Sequence, residues 1–337
     1  MSLFSAVFLA VACLAVFFIF AKVTSSIEGR RYARDHGCQP PNRFPQSERI
    51  LGLGLAKSLQ ALTKSKKFLF TSLQWHREFG NTYSSVLLGQ TAIVTIEPEN
   101  LKAILSTQFH DFGIGKRNLA VGPLLGQGIF SSEGSLWEHS RALVRPSFAR
   151  AYVADLGTLL LTLQPSFSFG ESVDVLRSPA GSGQQLFGQA LDYAQTELNF
   201  RLRLGPLICF YRNKKFDRAC TRVHNFVDKY VAKALEFRRT DQANNMPKEE
   251  DKQRGKYIFM NELALATDDP IQIRSELLNL LLAGRDTTAG LLSNTFYVLA
   301  RRPDVWAKLR REIDKHDGKA PDYAALHQMK YVKSVLN

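Results

Sequence analysis

The sequence predicts a mainly α-helical protein with one small β-sheet, preceded by a helix that spans a membrane. Three observations carry this. Residues Leu3 to Ala21 form an apolar run without a single charge, long enough as a helix to match the ~30 Å hydrocarbon core of a bilayer. Most of the remaining chain places apolar residues at helical spacing, most extensively from Pro270 to Ala300. Only around residues 82–96 do two short runs rich in β-branched residues face each other across a turn.

The 337 residues, 45% of them apolar, are enough for one large domain or two small ones with a sizeable core. Lys and Arg number 44 against 31 Asp and Glu, a net charge of +13. That balance suits nucleic acid, an anionic membrane face or an acidic protein partner. The chain has no recognition-helix or zinc-finger pattern, and its aromatics do not interleave with its basic residues, so no nucleic-acid partner is expected. Most of the charge reads as solvated surface. Cys13, Cys38, Cys209 and Cys220 are scattered, with neither a Cys-x-x-Cys pair nor a His at metal spacing. They read as free thiols in a reducing compartment.

Taken in order, residues 1–22 read as a transmembrane anchor. A cleaved signal would carry a basic residue before a shorter apolar run; here Lys22, Arg30, Arg31 and Arg34 follow the run instead, which keeps the body cytoplasmic. Residues 23–47 form a basic, Pro-rich linker, stiffened by Pro40, Pro41 and Pro45. Residues 48–337 are the body. Ala56 to Phe79 is a long helix ending at Gly80. "TYSSVLL", "GQ" and "TAIVTI" give a strand, a two-residue turn and a second strand. A helix starts after Pro98. Leu119 to Ser135 is Gly-rich and reads as a loop. "LWEHSRALVRPSFA" resumes helical periodicity until Pro146 interrupts it. A basic amphipathic helix runs from about Phe216 to Arg239, and "TDQANNMPKEEDKQRGK" is a charged surface loop.

The long C-terminal helix is well punctuated. Asp269 is its N-cap, Pro270 occupies the first turn, Arg301 and Arg302 suit the dipole at its end, and Pro303 forces a restart. Roughly thirty residues at ~1.5 Å each make a rod of about 45 Å, able to cross a whole domain. Its centre is "LLAGRDTTAG". Gly284 and Gly290 each cost about 1 kcal/mol against Ala in a helix interior. Thr287 and Thr288 are able to bond back to carbonyls one turn earlier, and Asp286, if buried, needs a partner or a water. Such a groove would take a polar ligand and pass protons; an ordinary kink with an exposed Asp is the other reading. "LWEHSRALVRPSF" places Trp137 and Arg141 four residues apart on one helix face. Indole N–H and guanidinium together form a clamp for a carboxylate, or else a surface cation–π pair.

With these stretches in this order, the sequence resembles the cytochromes P-450, heme-thiolate monooxygenases of the membrane-anchored microsomal kind. It is similar above all to fungal enzymes that hydroxylate n-alkanes and fatty acids. "GQGIFSSEGSLWEHSRALVRPSF" matches their C-helix region, "AGRDTT" the oxygen-activation motif of their I helix, "LARRPDVWAKLRREI" the J helix and "MKYVKSVLN" the approach to the K helix. The resemblance implies a heme b cofactor with electrons from NADPH through NADPH–cytochrome reductase. It implies a hydrophobic small-molecule substrate, and a place in the endoplasmic reticulum membrane with the body in the cytosol. Trp137 and Arg141 would hold a heme propionate, and Ala283, Gly284 and Thr288 would lie against the heme. Thr287 and Asp286 would be catalytic, delivering the protons for O–O cleavage that a thiolate on the opposite face favours.

The same resemblance marks departures. The Glu-x-x-Arg pair and the Cys-ligand loop of the family would fall after Asn337, and none of the four cysteines takes that place. Between "VADLG" and "FGESVDVL" only "TLLLTLQPSFS" stands where the family has two core helices, so part of the D and E helices is expected to be missing. The 337 residues by themselves are therefore expected to be inactive. The rival reading is a membrane-tethered remnant that binds lipid or a partner protein. A dinucleotide site is ruled out because Leu55, Ala56 and Lys57 follow Gly52-Leu53-Gly54 where a third Gly is needed. The chain has no Gly-Lys-Ser/Thr phosphate loop and no Gly-x-Ser-x-Gly elbow.

Overall fold

The computed structural model describes residues 3–148, 178–243, 259–319 and 321–336. The chain divides into two compact units, residues 1–109 and 110–337.

The first unit holds helix α1 (Leu3–Asp35), strand β1 (Asn42–Arg43), helices α2 (Leu53–Lys64) and α3 (Phe68–Phe79), strands β2 (Thr82–Leu87) and β3 (Gln90–Thr95), and helix α4 (Pro98–Lys102). The strands make one sheet in the order β1-β2-β3, the first pair parallel and the second antiparallel, with Tyr83 opposite Val94. β1 comes from the segment read as a spacer, so part of that linker joins the sheet. Phe44, just past β1, packs its ring on Trp75, Phe79 and Tyr83 at centroid distances of 4.9, 5.2 and 5.8 Å. This aromatic cluster joins helix to sheet. Glu48 accepts the backbone N–H groups of Ile50, Leu51 and Leu53 at the entry to α2. These bonds, Leu51 foremost, hold its carboxyl below the usual carboxylate range.

Two expectations change here. The single helix 56–79 is two helices, because Lys66 takes a left-handed φ of 57° and the Ser65 hydroxyl donates to the Leu62 carbonyl, closing α2. The hairpin turn is Leu88-Gly89, one residue earlier than "GQ": both residues have positive φ, 50° and 77°, the twist a two-residue hairpin requires. The membrane anchor falls largely on residues whose side chains lie outside the described set. Among the described residues no helix is long and apolar enough to cross a membrane.

The second unit is helical. It comprises α5 (Arg117–Leu125), α6 (Gly134–Val144), α7 (Gly183–Leu204), α8 (Lys214–Ala243), α9 (Phe259–Ala266), α10 (Pro270–Leu299), α11 (Pro303–Ile313), α12 (Tyr323–Gln328) and α13 (Lys330–Leu336). α8 buries one stripe, with Phe216, Val223, Val227 and Val231 fully enclosed, at the spacing of a core-facing helix. Phe226 of α8 stacks on Phe187 of α7 at 4.3 Å. α5, α9 and the first half of α10 complete the same core through Leu124, Leu263, Ile273 and Leu277. Each such side chain contributes about 1.5–3 kcal/mol when withdrawn from water.

α5 corrects the loop expected at Leu119–Ser135. Ala120, Val121, Leu124 and Leu125 form a buried helical stripe, and its burial outweighs the unfavourable Gly122 and Pro123. The punctuation of α10 is as expected: the Asp269 side chain accepts from the Ile271 N–H at 2.9 Å, Pro270 leads the helix, and Pro303 starts the next one. The short segment 156–169 and most of the charged loop after Thr240 lie outside the described residues.

Candidate functional site

α10 changes character along its length. From Ile273 to Leu281 it is packed into the core. From Asp286 onward it is largely exposed, and Leu291, Leu292, Phe296, Tyr297 and Val298 are open to solvent. The "AGRDTT" motif sits at this boundary. Ala283, Gly284 and Thr288 are half-buried, while Asp286 and Thr287 are exposed. The Thr287 Oγ1 donates to the Ala283 carbonyl at 2.6 Å, the back-bond expected of this hydroxyl. Gly284, Thr288, Leu292 and Phe296 follow one another at four-residue spacing, so they make one ridge. Arg285 turns the other way and pairs with Asp192 of α7 at 2.6 Å; at this exposure the pair contributes little to stability.

Trp137 and Arg141 share one face of α6, with the guanidinium 5.2 Å from the centre of the indole. This is a cation–π arrangement. Arg141 meets no carboxylate among the described residues. The remaining reach of its fork is open to an anionic ligand.

What joins α6 to α10 is a buried polar lock that the sequence reading missed. Glu276 is 0% exposed. One carboxylate oxygen accepts the Ile129 N–H at 3.4 Å, and Ser140 of α6 also bonds the carboxyl. Its other oxygen has no partner among the described residues. One turn on, Asn279 accepts the Phe130 N–H at 3.0 Å and donates to the carbonyls of Leu125 and Ser275. The loop between α5 and α6 therefore lies directly on α10. A Cβ at Gly126 or Gly128 would collide with Ser275 or Asn279 respectively, and Gly126 also has a φ of 65°. Only glycine permits this approach. The signal for the lock was present: "SELLNLLL" places Ser275, Glu276 and Asn279 on one side of an otherwise apolar helix.

Burial raises the Glu276 carboxyl above the usual range, partly offset by Ser140, the Ile129 N–H and His139. The folded chain therefore holds this proton more tightly than the unfolded one. Its contribution to stability is present below the unfolded value of 4.5 and is lost as pH rises through the folded value. His224 of α8 has the opposite sign: burial lowers it, and stability falls as pH drops below the unfolded value of 6.5. We therefore expect Glu276→Gln to gain stability over the native chain at pH 7 and to gain less at pH 5. Denaturant unfolding of both proteins at the two pH values measures the difference.

Of the cysteines, Cys38 and Cys209 are exposed and Cys220 is buried in α8. Burial, with Asp217 nearby, pushes the Cys220 thiol up to about 12, so it is not a thiolate at neutral pH.

The second unit has a helical fold in which the first half of the 30-residue α10 is packed into the core. The chain belongs to the cytochrome P450 family: the family model "Cytochrome P450" matches residues 153–337. It is 36% identical to the cytochrome P450 monooxygenase fsdH of Fusarium heterosporum, over 96% of this chain and 63% of that protein. It is 38% identical to the cytochrome P450 monooxygenase himC of Aspergillus japonicus, over 90% of this chain and 59% of the relative. Cytochrome P450 52A12 of Debaryomyces hansenii is 38% identical over 80% and 62%. The chain thus spans about three fifths of the length of these relatives.

Proposed function

We propose that the chain forms the oxygen side of a heme monooxygenase site that hydroxylates a hydrophobic substrate such as an alkane or fatty acid. The observation that carries this reading is the open face of α10, where the small residues of "AGRDTT" continue into a row of exposed apolar side chains. A large, flat, apolar ligand fits such a ridge. Trp137 and Arg141 would hold its carboxylate edge, and Ala283, Gly284 and Thr288 would lie against its plane. The residues present fit heme on these two counts. They do not fit it as a thiolate donor at Cys220, which is buried in α8 with its thiol pushed up to about 12.

When bound, heme supplies the activation of dioxygen. The chain's own part is to bind, orient and handle protons. The Thr287 hydroxyl would donate from Oγ1, exchanging its Ala283 bond for one to the reacting side. Exposed Asp286 would resupply that proton from solvent. Electrons would come from NADPH through NADPH–cytochrome reductase, for which the basic surface of the chain is electrostatically suited. The uncharged run Leu3–Ala21 and the Lys22, Arg30, Arg31 and Arg34 that follow support a single-pass anchor in the endoplasmic reticulum membrane with the body in the cytosol. The exposed apolar tip Leu207 and Phe210, set among Arg203, Arg212 and Lys214, supports a second contact with the lipid surface.

The test is one expression experiment. The chain is fused in frame to the C-terminal part of the himC relative, co-expressed with a reductase, and the microsomal fraction is given dodecane and NADPH. Hydroxylated dodecane in that fraction, shifted largely to the soluble fraction when residues 1–22 are deleted, is the expected result. A fusion that binds heme yet oxidises neither dodecane nor dodecanoate would contradict the substrate class.

A further inference from the structure

Helix α5 contains a proline in its interior, and the carbonyl this leaves without a helical partner has been taken over by a buried arginine. Pro123 has no N–H, so the Leu119 carbonyl four residues earlier cannot make its helical bond. Arg201 of α7, only 8% exposed, donates from Nη2 to that carbonyl at 3.1 Å and from Nε to the neighbouring Ala120 carbonyl at 2.9 Å. Its guanidinium lies 4.6 Å from the centre of the Phe216 ring, and no carboxylate pairs with it among the described residues. A buried cation of this kind is tolerated only when carbonyl oxygens take up its donors. The last carbonyls of α5 are met in the same way by other helices: Leu124 is bonded to His224 Nε2 of α8 at 2.8 Å, and Leu125 accepts from Asn279 of α10 at 3.0 Å. Three helices thus hold one short helix by its backbone.

We infer that Arg201 is a positioning residue that substitutes for the amide hydrogen Pro123 lacks, and so sets how the Arg117–Leu125 helix is seated on α7. The seating itself stands on the hydrogen bonds above. Its consequence for substrate entry rests on the proposed monooxygenase function, in which α5 and α7 would flank the substrate.

The distinctive feature is dependence on Pro123. Hydrogen exchange is measured on the full chain in detergent, for the native protein, Arg201→Met, Pro123→Ala and the double variant. Arg201→Met keeps the stem and removes the donors. It is expected to speed exchange of the amides at 121–126 on the order of tenfold, with those at 273–281 unchanged. With Pro123→Ala the Leu119 carbonyl recovers a helical partner, and the effect of Arg201→Met should shrink to roughly threefold or less. An unchanged rate in Arg201→Met would overturn the inference. So would an equal effect in both backgrounds, because stacking on Phe216 would then account for Arg201. Should the Met variant fail to fold, Arg201→Lys is compared across the same two backgrounds, with the same criterion. These rates need neither heme nor turnover, so their failure is distinct from failure of the functional reading.

Discussion

Replacing Thr287 with Ala in the chain fused to the C-terminal part of a relative is expected to leave heme binding intact and to divert most of the reducing equivalents to peroxide. The Thr287 hydroxyl stands at the boundary where α10 leaves the core, and its one bond among the described residues, to the Ala283 carbonyl, is local to the helix. Its removal therefore orphans no partner from another element and costs the fold little. The catalytic cost is larger, because a positioned hydroxyl is what steers a proton to one oxygen and not the other. Product formed per NADPH should fall on the order of tenfold or more, while total NADPH consumption falls much less. Thr287→Ser, which keeps Oγ, should recover most of the coupling. If the Ala variant gave as much product per NADPH as the parent, the role assigned to Thr287 would be wrong.

Much of the site's frame could be read from the sequence, and the reasons are local. Asp269, Pro270 and Pro303 act on the backbone within a few residues of themselves, so the start and restart they mark appear in the structure as expected. The same holds for the Thr287 back-bond. What escaped reading depends on partners far along the chain. α5 carries Gly122 and Pro123, which by local propensity argue for a loop; it is a helix because its apolar stripe is buried and Arg201, 82 residues from Leu119, completes its hydrogen bonds. Glu276 and Asn279 belong to the same class: they signal an internal lock only once the loop 126–132 is known to lie against them. The break between α2 and α3 and the one-residue shift of the hairpin turn both come from non-glycine residues in left-handed conformations, Lys66 and Leu88. Sequence patterns do not favour either residue there.

As proposed, Trp137, Arg141 and the open face of α10 would form one side of a heme site, and Cys220 would not be its thiolate ligand. Cys220 is closed in the core with its thiol pushed up to about 12. Trp137 and Arg141 would offer heme only edge contacts, each worth roughly 1.5–3 kcal/mol when charge-assisted, and a thiolate ligand would have to supply the rest of the hold and the electron push. The direct measurement is the spectrum of the reduced, heme-supplied protein under carbon monoxide, for residues 23–337 alone and for the same residues fused to the C-terminal part of a relative. No red-shifted Soret band of a thiolate–heme–CO complex is expected from the chain alone, and a full one is expected from the fusion, weakening when Arg141 is replaced by Ala. A red-shifted band from residues 23–337 alone would mean that Cys38, Cys209 or Cys220 ligates iron, and its absence from the fusion would mean that this frame does not hold heme.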